Sequence, residues 1–199
     1  MYEYDVVCIG GGPGGSATAM RCADRGKKVC LIEGRARNGS GGTCVNRGCI
    51  PTKALMASAN LYASIKEAKA FGINVDMSAV SVDFKAIDKR KNAVINGLGF
   101  GLEAMLWKKS RGIDVVKGRA TLLDAHTIEV DNGKVKKTVT AENIVVAVGS
   151  EPAEIAAFNV DHKKVITSNE IMDFSRPLPK SIVIIGSGAI GLEYGHIYN

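Results

Sequence analysis

Two cysteines, Cys44 and Cys49, lie five positions apart in GGTCVNRGCIPTK (residues 41–53), and Lys53 follows the second by four. Four intervening residues match neither the C-x2-C of metal sites nor a thioredoxin-like C-x-x-C. A regular helix separates residues five apart by more than the ~7 Å a disulfide tolerates between Cα atoms. A Cys44–Cys49 bond therefore requires an irregular turn, which Gly48 and Pro51 could each supply. If helix continues past Cys49, Lys53 falls on the same face one turn later. A fixed cation there favours a thiolate, or a reduced anionic ring, nearby. On the pair alone, two buried unpaired thiols remain the alternative.

Glycines form the second constellation. Gly10-x-Gly12-x-x-Gly15 follows the apolar run YDVVCI, opens the helix-like SATAMRCADRG, and precedes Glu33 at the end of KKVCLIE. Strand, glycine turn, helix, strand and acid within about thirty residues is the context a dinucleotide fingerprint needs. The first glycine permits the turn, the second admits a pyrophosphate, and the third lets helix and strand pack. The helix N-terminus offers N–H groups to the phosphates, and Glu33 would accept from a ribose. A ligand-free glycine turn is the alternative. Gly186-x-Gly188-x-x-Gly191 repeats the pattern after IVII, so two dinucleotides, or two halves of a two-cofactor enzyme, are implied.

These residues need a scaffold of alternating elements. Residues 4–9 and 27–33 read as buried parallel strands, and residues 16–26 as a helix with Ala17, Ala19, Met20 and Ala23 on one face and Gly26 as its stop. Residues 52–70 are helix formers. Residues 83–112 read as one long helix or a pair, softened by Gly97, Gly99 and Gly101. From 113 the pattern turns β-rich, with Asn132-Gly133 as a hairpin turn and NIVVAV as a buried run. SIVII (181–185) is expected to be a second fingerprint strand. The class is α/β: a Rossmann-like FAD-binding domain with a β-meander over 1–150, a connection over 151–179 with Pro152, Pro177 and Pro179, and the start of a Rossmann-like NAD-binding domain over 180–199.

Composition narrows the classes further. The net charge of +6 suggests nucleic acid only weakly, because no aromatic-interleaved patch or recognition helix accompanies it. Apart from KKSR (108–111) and KVKK (134–137) the basic residues are scattered, as on solvated faces. No run approaches the ~20 apolar residues of a membrane span, and no signal peptide is read at the start. Five cysteines without a secretory signal point to a reducing, cytoplasmic setting.

The chain resembles the N-terminal part of the pyridine nucleotide–disulfide oxidoreductases, and within that family most closely the lipoamide (dihydrolipoyl) dehydrogenase branch. VVCIGGGPGGSATAMRCADRGKKVCLIE, GGTCVNRGCIPTKALM, NIVVAVGS and SIVIIGSGAIGLEYG carry the resemblance in family order and spacing, across essentially all 199 residues. It implies a flavoprotein that oxidises protein-bound dihydrolipoamide with NAD+ through FAD and a Cys-x4-Cys disulfide. Cys44 and Cys49 would form that bridge, Cys49 against the flavin and Cys44 exchanging with the dithiol. Lys53 would sit near the isoalloxazine, paired with Glu193.

The resemblance further implies that Gly10, Gly12, Pro13, Gly14, Gly15, Glu33, Gly41, Gly42, Thr43, Cys44 and Lys53 hold FAD. Ala120 would approach the adenine through backbone, and Gly149 marks where the chain leaves the flavin domain. Gly186, Gly188, Ala189, Ile190 and Gly191 would receive NAD. Thr52, where glutathione reductases usually carry a second lysine, points to the lipoamide branch, and Gly191 leans toward NAD over NADP. Glutathione or mercuric reductase is the alternative within the family, and a non-catalytic FAD-binding fragment the alternative outside catalysis. The family's His–Glu pair belongs to a part not matched here, so His126, His162 and His196 receive no role. The implied partners are a lipoyl carrier domain and, at full length, a second copy in a homodimer; no metal, nucleic acid or membrane is expected.

Overall fold

The computed structural model describes residues 1–34, 40–106, 108, 111–175 and 178–199. Lys109, Ser110 and Pro177, which figure in the basic run and the connection read above, lie outside the described residues. Contacts divide the chain into two units, one of residues 1–46 and 96–151, the other of 47–95 and 152–199.

The first unit is built on a six-stranded sheet. Its strands are β1 (Tyr4–Ile9), β2 (Val29–Glu33), β3 (Ile113–Lys117), β4 (Arg119–Leu122), β5 (Thr127–Asp131) and β6 (Lys136–Val146), in the spatial order β3-β2-β1-β6-β5-β4. The pairs β1–β2, β2–β3 and β1–β6 are parallel, whereas β4–β5 and β5–β6 are antiparallel. Helix α1 (Pro13–Ala23) makes the β1–β2 crossover, the right topology for parallel neighbours. Side chains alternate between faces: Val7, Ile9, Cys30 and Ile32 join one apolar cluster with Ile128, Val130 and Val139. Val6, Cys8, Val29 and Leu31 join another with Ala19, Leu106 and Ile113. A sheet buried on both faces explains why these strands read as unbroken apolar runs.

Several sequence expectations need correcting here. Ala17 is exposed, and the buried residues of α1 are Gly15, Ser16 and Ala19. The rest of the predicted face holds, with Ala19 buried and Met20 and Ala23 packed against the same cluster. The β-rich tail of this unit is one eleven-residue strand, β6, with Val146 60% exposed, so NIVVAV is only partly buried. Asn132-Gly133 does turn the β5–β6 hairpin, with Gly133 at φ 82° and Asn132 Oδ1 accepting from the N–H groups of Lys134 (2.9 Å) and Val135 (2.8 Å).

In the second unit, α3 (Cys49–Glu67) and α5 (Ala189–Tyr198) pack on each other. Helix α2 (Gly42–Arg47) precedes α3, and α4 (Phe84–Leu106) is continuous, its first half assigned to the second unit and its second half to the first. Leu55, Met172, Phe174 and Tyr194 form the second unit's core. Lys91 is buried there with its charge answered, its ammonium 2.6 Å from Asp88 Oδ1 and donating to Met172 O at 2.9 Å. Residues 181–185 do not form the expected strand. An extended segment becomes a strand only beside a hydrogen-bonding neighbour, and no described residue of this unit pairs with it; Val183 is 88% exposed.

Candidate active site

Turn geometry builds the site of the first unit. Four parallel strands, β3, β2, β1 and β6, end together, with Gly10 N donating to Ile32 O (2.8 Å), Ala147 N to Ile9 O (2.9 Å) and Gly118 N to Glu33 O (3.0 Å). Between them the chain leaves β1 through Gly10, at φ 105°, and enters α1 at Gly12. Strands β2 and β3 fan to one side of β1 and β6 to the other, so this turn lies at the switch point where open α/β sheets bind ligands.

Each glycine of the trio has its own reason. A side chain on Gly15 would place Cβ 1.8 Å from Gly10 O, and one on Gly10 would reach 2.3 Å from Ala147 O. Both glycines are demanded by the chain itself. Gly12 is not: its φ of −70° is ordinary, and a Cβ there would meet only Gly42 Cα, at 3.7 Å. Among the described residues the space over Gly12 is open, as a phosphate approaching backbone N–H groups would require. Glu33 closes the other end, its Oε2 accepting from Gly11 N at 2.8 Å.

Gly41 and Gly42 continue this surface. Gly41 N donates to Gly11 O at 2.9 Å, and a Cβ on Gly42 would lie 2.7 Å from Gly12 Cα. Pro13 takes the first position of α1, where a missing N–H costs nothing. A Cβ on Gly14 would lie 3.6 Å from that of Ala147, Thr43 is exposed on α2, Ala120 pairs with Val130 in the meander, and Gly149 turns at φ 76°. Asn46 donates to Gly42 O at 2.9 Å and leaves its Oδ1 buried without a partner. An unanswered buried acceptor costs about 1–3 kcal/mol, which a donor from a bound group would recover. Asn46, Gly11 and Ala147 are contributors the sequence reading missed; of these, Asn46 carried a signal, lying between the two cysteines.

The second unit repeats the turn. Gly186 stands at φ 110°, Gly188 caps α5 at φ −72°, and a Cβ on Gly191 would lie 2.3 Å from Gly186 O. Ala189 and Ile190 open the helix, and a Cβ on Gly188 would meet none of the described residues within 4 Å. Again only the middle glycine is unexplained by the chain. Beside this turn Lys53 of α3 is ion-paired with Glu193 of α5. Lys53 is well exposed, so the pair fixes geometry more than it adds stability. The neighbouring Thr52 Oγ1 lies 3.1 Å from Tyr194 Oη, a contact between buried hydroxyls.

The cysteines lie in different environments, with Cys22 half-buried on α1. Cys8 and Cys30 are fully buried in the sheet, and burial pushes their thiols up to about 11 and about 12. Cys44 is half-buried on α2, and Cys49 is exposed as the first residue of α3. The irregularity between them falls at Gly48, at φ −138°, ψ −109°. Pro51 sits instead inside the first turn of α3, where its lack of an N–H is harmless. In the folded, reduced protein, a maleimide is expected to label Cys49 at least ~100-fold faster than Cys8 or Cys30, because Cys49 is exposed whereas burial shields Cys8 and Cys30 and keeps their thiols protonated. Peptide mass spectrometry after timed quenching checks this; equal labelling of Cys30 would contradict the burial.

Among the described residues no cluster of His, Cys, Asp and Glu could hold a metal, and no helix is long and apolar enough to cross a membrane. The family described as pyridine nucleotide-disulphide oxidoreductase matches residues 4–199. The chain is 38% identical over 193 residues to a dihydrolipoyl dehydrogenase of Bacillus subtilis, covering 97% of this chain and 41% of the relative. It is 40% identical over 198 residues to that of Chlorobaculum parvum, covering 98% and 40%. A solved structure of the HOCl-induced flavoprotein disulfide reductase RclA from Escherichia coli superposes with a TM-score of 0.79 at 28% identity, covering 98% of this chain and 39% of that one. The chain thus spans about 40% of the length of the relatives it matches.

Proposed function

Because the chain belongs to the pyridine nucleotide-disulphide oxidoreductases, a family of flavoprotein enzymes, we propose that it supplies the dithiol-reactive, FAD-binding part of a dihydrolipoamide-oxidising enzyme. The observation that carries the reading is the doubled glycine turn, each with a middle glycine that the chain itself does not need. That arrangement fits two dinucleotides. Gly10, Gly12, Gly15, Glu33 and Gly41–Thr43 would hold FAD, and Gly186, Gly188 and Gly191 would hold NAD. In domain terms, residues 1–150 are the flavin-binding segment, 151–179 the connection, and 180–199 the opening of the nicotinamide-binding domain.

The chain's own chemistry is thiol–disulfide exchange. With Cys44 and Cys49 bridged, a substrate thiolate attacks Sγ of Cys44 and Cys49 leaves as a thiolate. The second substrate thiol, losing its proton, then attacks the mixed disulfide. Cys44 departs, and the substrate closes into its own disulfide. One substrate dithiol is oxidised and one protein disulfide reduced. Bound FAD would supply the two-electron acceptor that restores the bridge, with NAD+ as the final acceptor. Lys53, held by Glu193, stands one turn beyond Cys49 on α3.

The test is to load the protein with FAD and add dihydrolipoamide and NAD+ anaerobically. The expected result is retention of flavin through gel filtration, and NADH formation once the remainder of the enzyme's length is present. Retained flavin with no dithiol oxidation in the complete enzyme would favour the purely flavin-binding reading, which the chain's 40% coverage of its relatives makes worth separating. Turnover of glutathione disulfide or mercuric ion instead would move the substrate assignment elsewhere in the family.

A further inference from the structure

We infer that Tyr194 is a positioning residue for Cys49, acting through a buried hydroxyl relay that runs Tyr194 O–H to Thr52 O–H to the Gly48 carbonyl. The inference rests on the proposed dithiol chemistry for its functional consequence, though not for its geometry.

The direction of the relay follows from counting protons. Thr52 Oγ1 lies 2.7 Å from Gly48 O, and a carbonyl can only accept, so the single Thr52 hydroxyl proton is committed there. The contact of 3.1 Å between Thr52 Oγ1 and Tyr194 Oη must then be donated by the tyrosine. Burial raises the Tyr194 phenol above its ordinary range, which keeps that donor protonated. Thr52 and Tyr194 are 5% and 3% exposed, so water cannot replace either bond when one is removed.

The last acceptor gives the relay its purpose. Gly48 has the non-helical backbone at which α3 begins, and its carbonyl belongs to the peptide that carries the N–H of Cys49. Glycine itself leaves that peptide free to rotate. Two donors restrain it: Thr52 N at 3.1 Å, as the first bond of the helix, and Thr52 Oγ1. Tyr194 locks the second donor from α5, next in sequence to the Glu193 that holds Lys53. Adjacent residues of one helix therefore set both the backbone of Cys49 and the charge one turn beyond it. A further α3–α5 bridge, His196 Nε2 to Asn60 Oδ1 at 2.6 Å, lies farther along and leaves the first turn alone.

Tyr194→Phe keeps the ring in its core with Leu55, Met172 and Phe174 and removes only the donor. In the complete, flavin-loaded enzyme, kcat for dithiol oxidation is expected to fall about tenfold, the worth of one well-made buried hydrogen bond. Flavin content and the KM for NAD+ should stay at parent values. Amide exchange over Cys49–Lys53 should quicken by a similar factor. Thr52→Val should match it, Thr52→Ser should restore the parent behaviour, and the Tyr194→Phe/Thr52→Val double variant should be no worse than Thr52→Val alone. A lowered melting temperature with unchanged kcat and exchange would overturn the relay, as would Thr52→Ser behaving like Thr52→Val. If the parent oxidises no dithiol, the functional reading fails by itself, and the exchange comparison still decides the relay.

Discussion

Replacing Cys49 with serine is expected to abolish dithiol oxidation, by at least ~10³-fold in kcat, while leaving flavin content unchanged. A hydroxyl can neither form the bridge nor leave as a thiolate, and losses of this size or larger are usual when a covalent participant is removed. Flavin should stay because the turn proposed to receive its phosphates is built by Gly10, Gly12, Glu33 and Gly42, none of which depends on the Cys49 sulfur. Cys44→Ser should be equally inactive yet still carry an exposed Cys49 open to alkylation. Steady-state assay beside the flavin absorbance of the same preparation measures both. Dithiol turnover surviving in Cys49→Ser would remove the pair from the mechanism.

The second large effect separates two glycines three residues apart. Gly12→Ala should fold normally and lose flavin affinity by about 30- to 100-fold, corresponding to ~2–3 kcal/mol of binding. Its Cβ meets only an ordinary contact within the protein but stands where the pyrophosphate is expected. Gly15→Ala should instead damage the fold itself. Its Cβ would lie 1.8 Å from the backbone oxygen of Gly10, and forcing such overlap typically costs about 1–3 kcal/mol or more. Denaturant midpoints and flavin titrations on both variants check the split. Similar loss of flavin with intact stability in both would mean that the three glycines share one role.

Much of this was legible in the residues. Apolar runs of five or six flanked by glycine turns can hardly be anything but buried strands, and β1 and β2 fall on YDVVCI and VCLIE. The glycine spacing specified both turns because positive φ and backbone overlap are local demands, written in the residues that suffer them. Burial of α1 was misjudged at Ala17, since alanine fits either side of a helix and periodicity alone does not say which side meets the sheet. Residues 181–185 carry a strand's composition, yet pairing depends on a neighbour that composition cannot supply. The Thr52–Tyr194 contact joins positions 142 apart in the chain and has no periodic signature. For the same reason Ala147 escaped notice: only the closing of β6 beside β1 brings it under Gly10.

Strand β6 also sets a schedule for biosynthesis. Its first half is hydrogen-bonded to β5 across a short hairpin, while its second half pairs with β1, Tyr4 meeting Ala141 and Ile9 meeting Val146. The hairpin can zip up as soon as it leaves the ribosome, whereas one flank of β1 stays open until residues some 137 positions later have been translated. Distant parallel pairings of this kind form slowly and leave apolar edges bare in the interim. Strand β1 thus waits, half covered, for a template that arrives late and already folded along half its length.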